Sequence, residues 1–351
     1  MRFRLILPLL ALAFIQCRES VKTHNWFAMD TNMSVSLYGD TRVSDDSAFY
    51  RLEAETERLN NLYSDFSSRS SLAEVKGHIG DTVDVDPEIY GVLQLALQTS
   101  VESQGAFDFT LHDLKGLWGL GTGQKPHVPD SGAIDSLMRV NPALHAGWDS
   151  AAFPPPLTLL PGFRAVLHRE NTQLDLGAIA KGRVIDRLHE LLNSLGCPNH
   201  ILQAGGEIRL GGKKKSGSWK VGIRHPRAAD SLTGFLHTDS PKAISTSGDY
   251  ERYFDANGVR YHHIFDPRTG RPAHTRDLVC AVTVVTESSM QADALSTSLF
   301  VLGPEKGAAM ARLHNATAVW FEARPEGLCA IALPDILHLL DLKGVPACGS
   351  P

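Results

Sequence analysis

The sequence predicts an α+β chain, helical in its first half and rich in short strands in its second. Three observations carry this. Apolar residues recur at helical spacing from about Asp46 to Tyr63 and again from Pro87 to Gln104. After His200 the chain breaks into short apolar segments punctuated by glycine, as strands joined by tight turns do. Between the halves, Leu174-Asp175-Leu176-Gly177-Ala178-Ile179-Ala180-Lys181-Gly182-Arg183 reads as a strand end, a turn of small residues and a helix start.

A length of 351 residues with 43% apolar content supports a large core, in one domain or two closely packed ones. The net charge of −5 comes without a long basic run, and the densest basic cluster, Lys213-Lys214-Lys215, reads as a turn between strands. No nucleic-acid partner is expected. Residues 1–17 carry Arg2 and Arg4, an apolar run from Leu5 to Ile15, and Cys17, the layout of a secretory signal. The run is too short for a permanent membrane helix. Phe14-Ile15-Gln16-Cys17 resembles a bacterial lipobox, although Gln16 replaces the usual small residue. The expectation is an exported protein on the periplasmic side of a membrane, lipidated at Cys17 or simply secreted, with residues 18–351 as its mature domain. Cys197, Cys280, Cys329 and Cys348 are widely spaced with no C-x-x-C pair, which argues against zinc and dithiol redox chemistry. Disulfides are compatible with export, but spacing does not give their pairing.

In chain order, Met33 to Leu37 alternates as a strand, preceded by Phe27-Ala28-Met29-Asp30-Thr31. Leu52, Leu59, Leu62, Tyr63 and Phe66 form the stripe of the first helix, and Ser64 to Ser70 a polar loop after it. Gly105-Ala106-Phe107-Asp108 ends the second helix. From Gly116 to Pro161, glycine, proline and tryptophan predict an irregular stretch with helical pieces. Ile201 to Gly212 reads as strand, glycine pair and strand, and Trp219 to Pro226 as another strand. Asp266-Pro267-Arg268-Thr269-Gly270 is turn chemistry, so Asp266 is a candidate cap of its own turn. Val282 to Val285 reads as a buried strand, and a helix begins at about Ala292. No internal repeat is present.

Two places invite chemistry. The Gly177-Ala178 turn exposes backbone at a helix start, and Lys181, one turn in, adds a cation suited to an anionic ligand. Asp293 and Thr297 lie four apart on one helix face, and a carboxylate, a hydroxyl and a spare carbonyl form a partial oxygen cage for a hard cation such as magnesium. Each also fits a plain structural role, as a strand-to-helix connection or a helix cap.

Taken in order, LDLGAIAKG at 174–182, QAGGE at 203–207, STSGDYERYF at 245–254, HIFDPRTGRP at 263–272 and ADALST at 292–297 resemble the ApbE-type FAD:protein FMN transferases, exported flavin-trafficking enzymes of bacteria. The resemblance runs from about Phe27 to Gly303. It implies mixed β-sheets flanked by helices, with FAD in a cleft between the helical first half and the β-rich second half. It further implies FAD as substrate, Mg2+ as cofactor, and transfer of FMN to a threonine or serine hydroxyl of an exported or membrane partner, with release of AMP. The partner is expected to carry the pattern Asp-Gly-x-Ser/Thr-Gly-Ala-Ser/Thr, which this chain lacks.

Carried over by position, the resemblance assigns metal binding to Asp293, Thr297 and the Ala178 carbonyl. It assigns the FAD site to Met29, Phe66, Ala106, Phe107, Asp108, Asp175, Lys181 and Ile264. Lys181 supplies charge to the diphosphate, and His263 is the candidate to take the proton of the attacking hydroxyl. Asp30, Phe66, His112 and Lys76 stand where the family more often has glycine, tyrosine, glycine and asparagine. Lys76 bears on whether FAD is transferred or hydrolysed, so a metal-dependent FAD pyrophosphatase and a non-catalytic flavin-binding protein are the competing readings.

Overall fold

A computed structural model of the chain describes residues 20–39, 41–63, 71–120, 123–140, 156–168, 172–214, 217–274 and 278–349. The leader with Cys17 and the polar loop with Phe66 lie outside the described residues. The first half runs β1 (Val21–Ala28), β2 (Thr31–Tyr38), α1 (Asp45–Tyr63), α2 (Ser71–Gly77), β3 (Thr82–Asp84), α3 (Pro87–Glu102), α4 (His112–Trp118), α5 (Ser131–Val140), β4 (Leu157–Leu160), β5 (Arg164–Leu167) and α6 (Ala180–Ser194). The second half begins β6 (His200–Ala204), β7 (Glu207–Gly211), β8 (Trp219–Arg224), β9 (Leu232–Thr238), β10 (Ala243–Gly248), β11 (Tyr253–Ala256), β12 (Val259–His262), β13 (Phe265–Asp266) and β14 (Arg271–Pro272). It ends with β15 (Val279–Thr286), α7 (Ser289–Leu313), β16 (Thr317–Arg324), β17 (Gly327–Ala332), β18 (Leu340–Leu342) and β19 (Ala347–Gly349).

Nine strands form the main sheet in the order β1-β2-β6-β7-β10-β15-β16-β17-β19. Its pairs are antiparallel except β17 with β19, so the sheet is mixed. Every residue of β15 is buried, because both faces of this central strand are covered. Val282 and Val284 pack with Leu295 and Leu299 of α7, while Ala281 and Val285 pack with Trp219, Ile223 and Leu236 of β8 and β9. The alternation follows from successive strand side chains pointing to opposite faces.

The sequence reading is corrected at two places. Residues 172–176 belong to no strand; Asp175 instead donates its N–H to the Phe109 carbonyl at 2.6 Å. Val21 to Ala28 is a strand that the reading passed over. The halves join in the main sheet, where β2 of the first half pairs with β6 of the second, and α7 of the second half is kinked at Gly303. The Cys329–Cys348 pair forms a disulfide between β17 and β19, and Cys197 and Cys280 are free and buried. Among the described residues no helix is long and apolar enough to cross a membrane.

Helices α6 and α7 lock each other at their N-terminal ends. Asp293 of α7 accepts the Gly182 N–H of α6 at 2.9 Å. Asp186 of α6 accepts Ser289 N–H at 2.8 Å, Met290 N–H at 3.0 Å and the Ser288 hydroxyl at 2.7 Å at the start of α7. Each carboxylate thus satisfies N–H groups that the other helix leaves unpaired in its first turn. The approach requires glycine: a Cβ at Gly182 would lie 2.2 Å from the Ser289 carbonyl oxygen. Gly182→Ala is expected to destabilise the fold by about 1–3 kcal/mol through overpacking, and Asp186→Ala by about 2 kcal/mol through the lost cap. Urea unfolding checks both, and losses under about 0.5 kcal/mol would contradict the lock.

Candidate functional site

The site is assembled at the tips of the hairpins. Met29 and Asp30 form the two-residue β1–β2 turn with φ of 53° and 55°, the left-handed values such a turn demands. The pairing of Met33 with Ala204 sets this turn beside the Gly205-Gly206 turn of β6–β7. Gly206 admits no side chain, since a Cβ there would sit 2.5 Å from the Thr246 carbonyl oxygen of β10 and 3.3 Å from Glu251 Oε1. This close approach brings Glu207, Glu251 and the start of α6 together.

Lys181 lies at their centre. Its Nζ donates to the Gly177 carbonyl at 3.0 Å and stands 3.5 Å from Glu207 Oε1 and 3.6 Å from Asp293 Oδ1. Burial disfavours the ammonium charge, but Asp293, Glu207 and Glu251 outweigh it and raise the lysine pKa above its usual value. Glu207 is 4% exposed, and burial, only partly offset by Lys181, pushes its carboxyl well above the ordinary range. The nearby Asp293 and Glu251 charges push it the same way.

The N-terminus of α6 differs from the sequence expectation. Ile179 and Ala180 N–H groups donate to the Leu176 carbonyl, Gly177 N–H to Asp175, and Gly182 N–H to Asp293. An anion here meets the Lys181 ammonium rather than a row of open amides. Ile179 caps α6, and the Gly182 N–H, one of the first-turn donors without an intrahelical acceptor, is taken by Asp293. Asp293, 2% exposed, and half-buried Thr297 lie one turn apart on α7. A carboxylate and a hydroxyl, with the Ala178 carbonyl of the turn before α6 as a third donor, are hard oxygen ligands that fit a magnesium-type ion keeping waters and phosphate oxygens as its other ligands.

On the other side, Asp175 pairs with Lys115 of α4 and accepts Gly177 N–H at 2.9 Å. Burial raises its pKa, yet Lys115 and that hydrogen bond prevail and the net shift is downward. Asp108 Oδ1 accepts Thr110 N–H at 2.7 Å and the Thr110 hydroxyl at 2.6 Å, whereas buried Oδ2 accepts nothing. Burial lifts the Asp108 carboxyl to about 6. Ala106 and Ile264 pack together in the core, and Phe107 is 1% exposed in a neighbouring cluster with its N–H donated to the Ser103 hydroxyl. The Phe107 ring is therefore sealed in the core. Met29 is half-buried at the hairpin tip, against the same cluster.

His262 and His263 point apart. His262 is buried with Nε2 on the Ala273 carbonyl at 2.7 Å, while half-buried His263 sets Nδ1 3.3 Å from the Arg252 carbonyl. That contact requires a proton on Nδ1, which leaves Nε2 with its lone pair. Burial, followed by the charges of His262, Lys115, Arg252 and Lys181, holds the His263 pKa well below its usual value, so the ring is neutral at pH 7. Asp266 caps its own turn, accepting Arg268 N–H at 3.0 Å.

Sequence reasoning missed Lys115, Glu207, Glu251 and Arg252 as site residues. The last three sit in the QAGGE and GDYER stretches already singled out as blocks; Lys115 is placed only by the non-local packing of α4. Two other features lie apart. A cavity of about 210 Å³ between the Asp266–His274 segment and the second half of α7 is lined by none of the residues that the resemblance assigns to metal or FAD. Glu322 clusters with Cys329 and Cys348, but their disulfide leaves no thiolate to bind metal.

The ApbE family model matches residues 29–321. An FAD:protein FMN transferase of Treponema pallidum is 37% identical over 257 residues, 69% of this chain and 68% of its own length. One from Vibrio cholerae is 31% identical over 294 residues, covering 82% and 83%. Among solved structures, the ApbE protein of Thermotoga maritima superimposes with a TM-score of 0.78 at 28% identity, over 91% of this chain and 99% of its own. The flavinyl transferase ApbE of Pseudomonas stutzeri gives 0.76 at 29% identity, over 92% and 97%. With a family match spanning five of the five sequence blocks and the α6–α7 junction they build, the chain belongs to the ApbE family.

Proposed function

We propose that this chain is an FAD:protein FMN transferase that uses a divalent cation, with magnesium the first choice, and hands FMN to a threonine or serine hydroxyl of an exported partner. The observation that carries the reading is the meeting of Lys181 and Asp293 at the α6–α7 junction, just after the turn that contains Ala178. It is supported by the transferase relatives at up to 37% identity.

The reaction forms a bond between the acceptor oxygen and the FMN phosphorus and breaks the diphosphate bond to AMP. A bound cation supplies charge neutralisation for the diphosphate oxygens. Lys181 offsets the negative charge that gathers as AMP departs. His263 Nε2 holds the lone pair that takes the acceptor hydroxyl proton. Asp108 Oδ2 is ready to accept an N–H of the ligand, and Lys115 keeps Asp175 ionised beside the turn. Met29 offers a polarizable contact to an aromatic ring. The acidic pattern sought in the acceptor, and a lipid anchor at Cys17, belong to the same reading; the Cys329–Cys348 disulfide supports an oxidising compartment.

Incubation with FAD, magnesium and a recombinant acceptor domain bearing the Asp-Gly-x-Ser/Thr-Gly-Ala-Ser/Thr pattern is expected to give in-gel flavin fluorescence on the acceptor together with AMP. AMP without labelling would make the protein a pyrophosphatase, and neither product would make it a binding module. Asp293→Ala is expected to abolish both products at limiting magnesium, and Lys181→Met to lower kcat roughly 10²–10³-fold.

Asp108 gives a pH prediction. Its folded pKa of about 6 lies above the ordinary 3.8, so its contribution to stability is complete below 3.8 and is lost as pH rises through about 6. Relative to wild type, Asp108→Asn should gain up to about 3 kcal/mol in urea unfolding between pH 4 and pH 7. A constant difference across that range would contradict the buried carboxyl.

A further inference from the structure

We propose that Glu207 is a second carboxylate ligand of the divalent cation, facing Asp293 across the Lys181 ammonium. This rests on the cation reading above and deepens it. Glu207 Oε2 is buried, accepts no hydrogen bond, and belongs to a residue 4% exposed, so water does not satisfy it. A carboxylate oxygen sealed in this way is costly unless a cation or donor reaches it. Lys181 does not fill that need: it stands 3.5 Å from Oε1 and 3.6 Å from Asp293 Oδ1, and its one close bond goes to the Gly177 carbonyl. Lys181 is shared between Glu207 and Asp293, so it saturates neither side chain.

The position of Glu207 is rigid. Its Cα is fixed in register on both sides, by Ala204 of β6 and by Ser245 of β10. Gly206 before it packs against the Thr246 carbonyl with no space for a Cβ, which fixes the turn that carries Glu207. A strand-borne ligand opposite a helix-borne one gives the cation two anchors on elements that do not move relative to each other. With Glu207 added, the donor set is two carboxylates, one hydroxyl and one carbonyl, and phosphate oxygens or water complete it.

The test is Mn2+ binding followed by electron paramagnetic resonance, on the full chain with saturating FAD and no acceptor. Glu207→Gln keeps the shape and removes the charge; it is expected to weaken Mn2+ binding roughly 10–100-fold, with an unfolding midpoint in EDTA no lower than wild type. Glu207→Asp, the second variant, is expected to bind between the two. The same loss should appear in a Lys181→Met background, because a Glu207 that only positions Lys181 would have no effect there. If wild type and every variant fail to take up Mn2+, the cation reading itself falls, and this proposal with it. If Asp293→Asn abolishes uptake while Glu207→Gln matches wild type, or if the Glu207 effect vanishes in Lys181→Met, this proposal alone is overturned.

Discussion

The exchange of carboxylates between α6 and α7 is the constraint on which the site depends. Asp186 holds the first turn of α7 and Asp293 holds the Gly182 amide of α6, so neither helix can slide without exposing buried N–H groups. The absence of a Cβ at Gly182 lets the two ends touch. Asp293 thus secures the packing of the two helices and also stands 3.6 Å from the Lys181 ammonium, so the bond that joins the helices fixes the central carboxylate of the candidate site.

Around that junction the charges are deliberately unequal. Glu207, Glu251 and Asp293 surround a single ammonium, whereas Asp175 is matched by Lys115 and Asp108 stands with one oxygen unpaired. A buried carboxylate that meets another carboxylate is a cost to folding, and a protein retains it only where something bound repays the cost. Asp175 and Lys181 both hold the Gly177 turn, through its N–H and its carbonyl, and Lys181 links that turn to Glu207 at the start of β7.

How much of this the chain displays in advance depends on the range of the signal. Helices α1 and α3 and the strands β6, β7 and β15 are legible because periodicity and glycine punctuation are local. The Gly177-Ala178 turn and the Asp293/Thr297 pair are legible for the same reason. Residues 172–176 mislead, because an apolar alternation there looks like a strand although the partner that takes its N–H is the Phe109 carbonyl rather than a ladder. The amides of α6 also mislead: a glycine-rich helix start reads as open to anions, but Asp293, more than a hundred residues away, has already claimed one of them. Lys115 carries no local mark at all, since only the seating of Trp118 against the Gly270 carbonyl brings α4 to the cleft.

That seating also explains why the first half, with its irregular middle, is needed for a site otherwise built on sheet tips. Trp118 is fully buried beside Tyr261 and Phe265, and Gly270, at φ 65°, makes room for Ile134 and Met138 of α5. The cluster binds α4 and α5 to the segment that carries His263, so Lys115 and His263 are positioned by one small core rather than by two independent loops. Lys115 in turn contributes to keeping His263 uncharged. Burial is the first cause of the low His263 pKa, and Lys115, held to the His263 segment by this small core, adds to it.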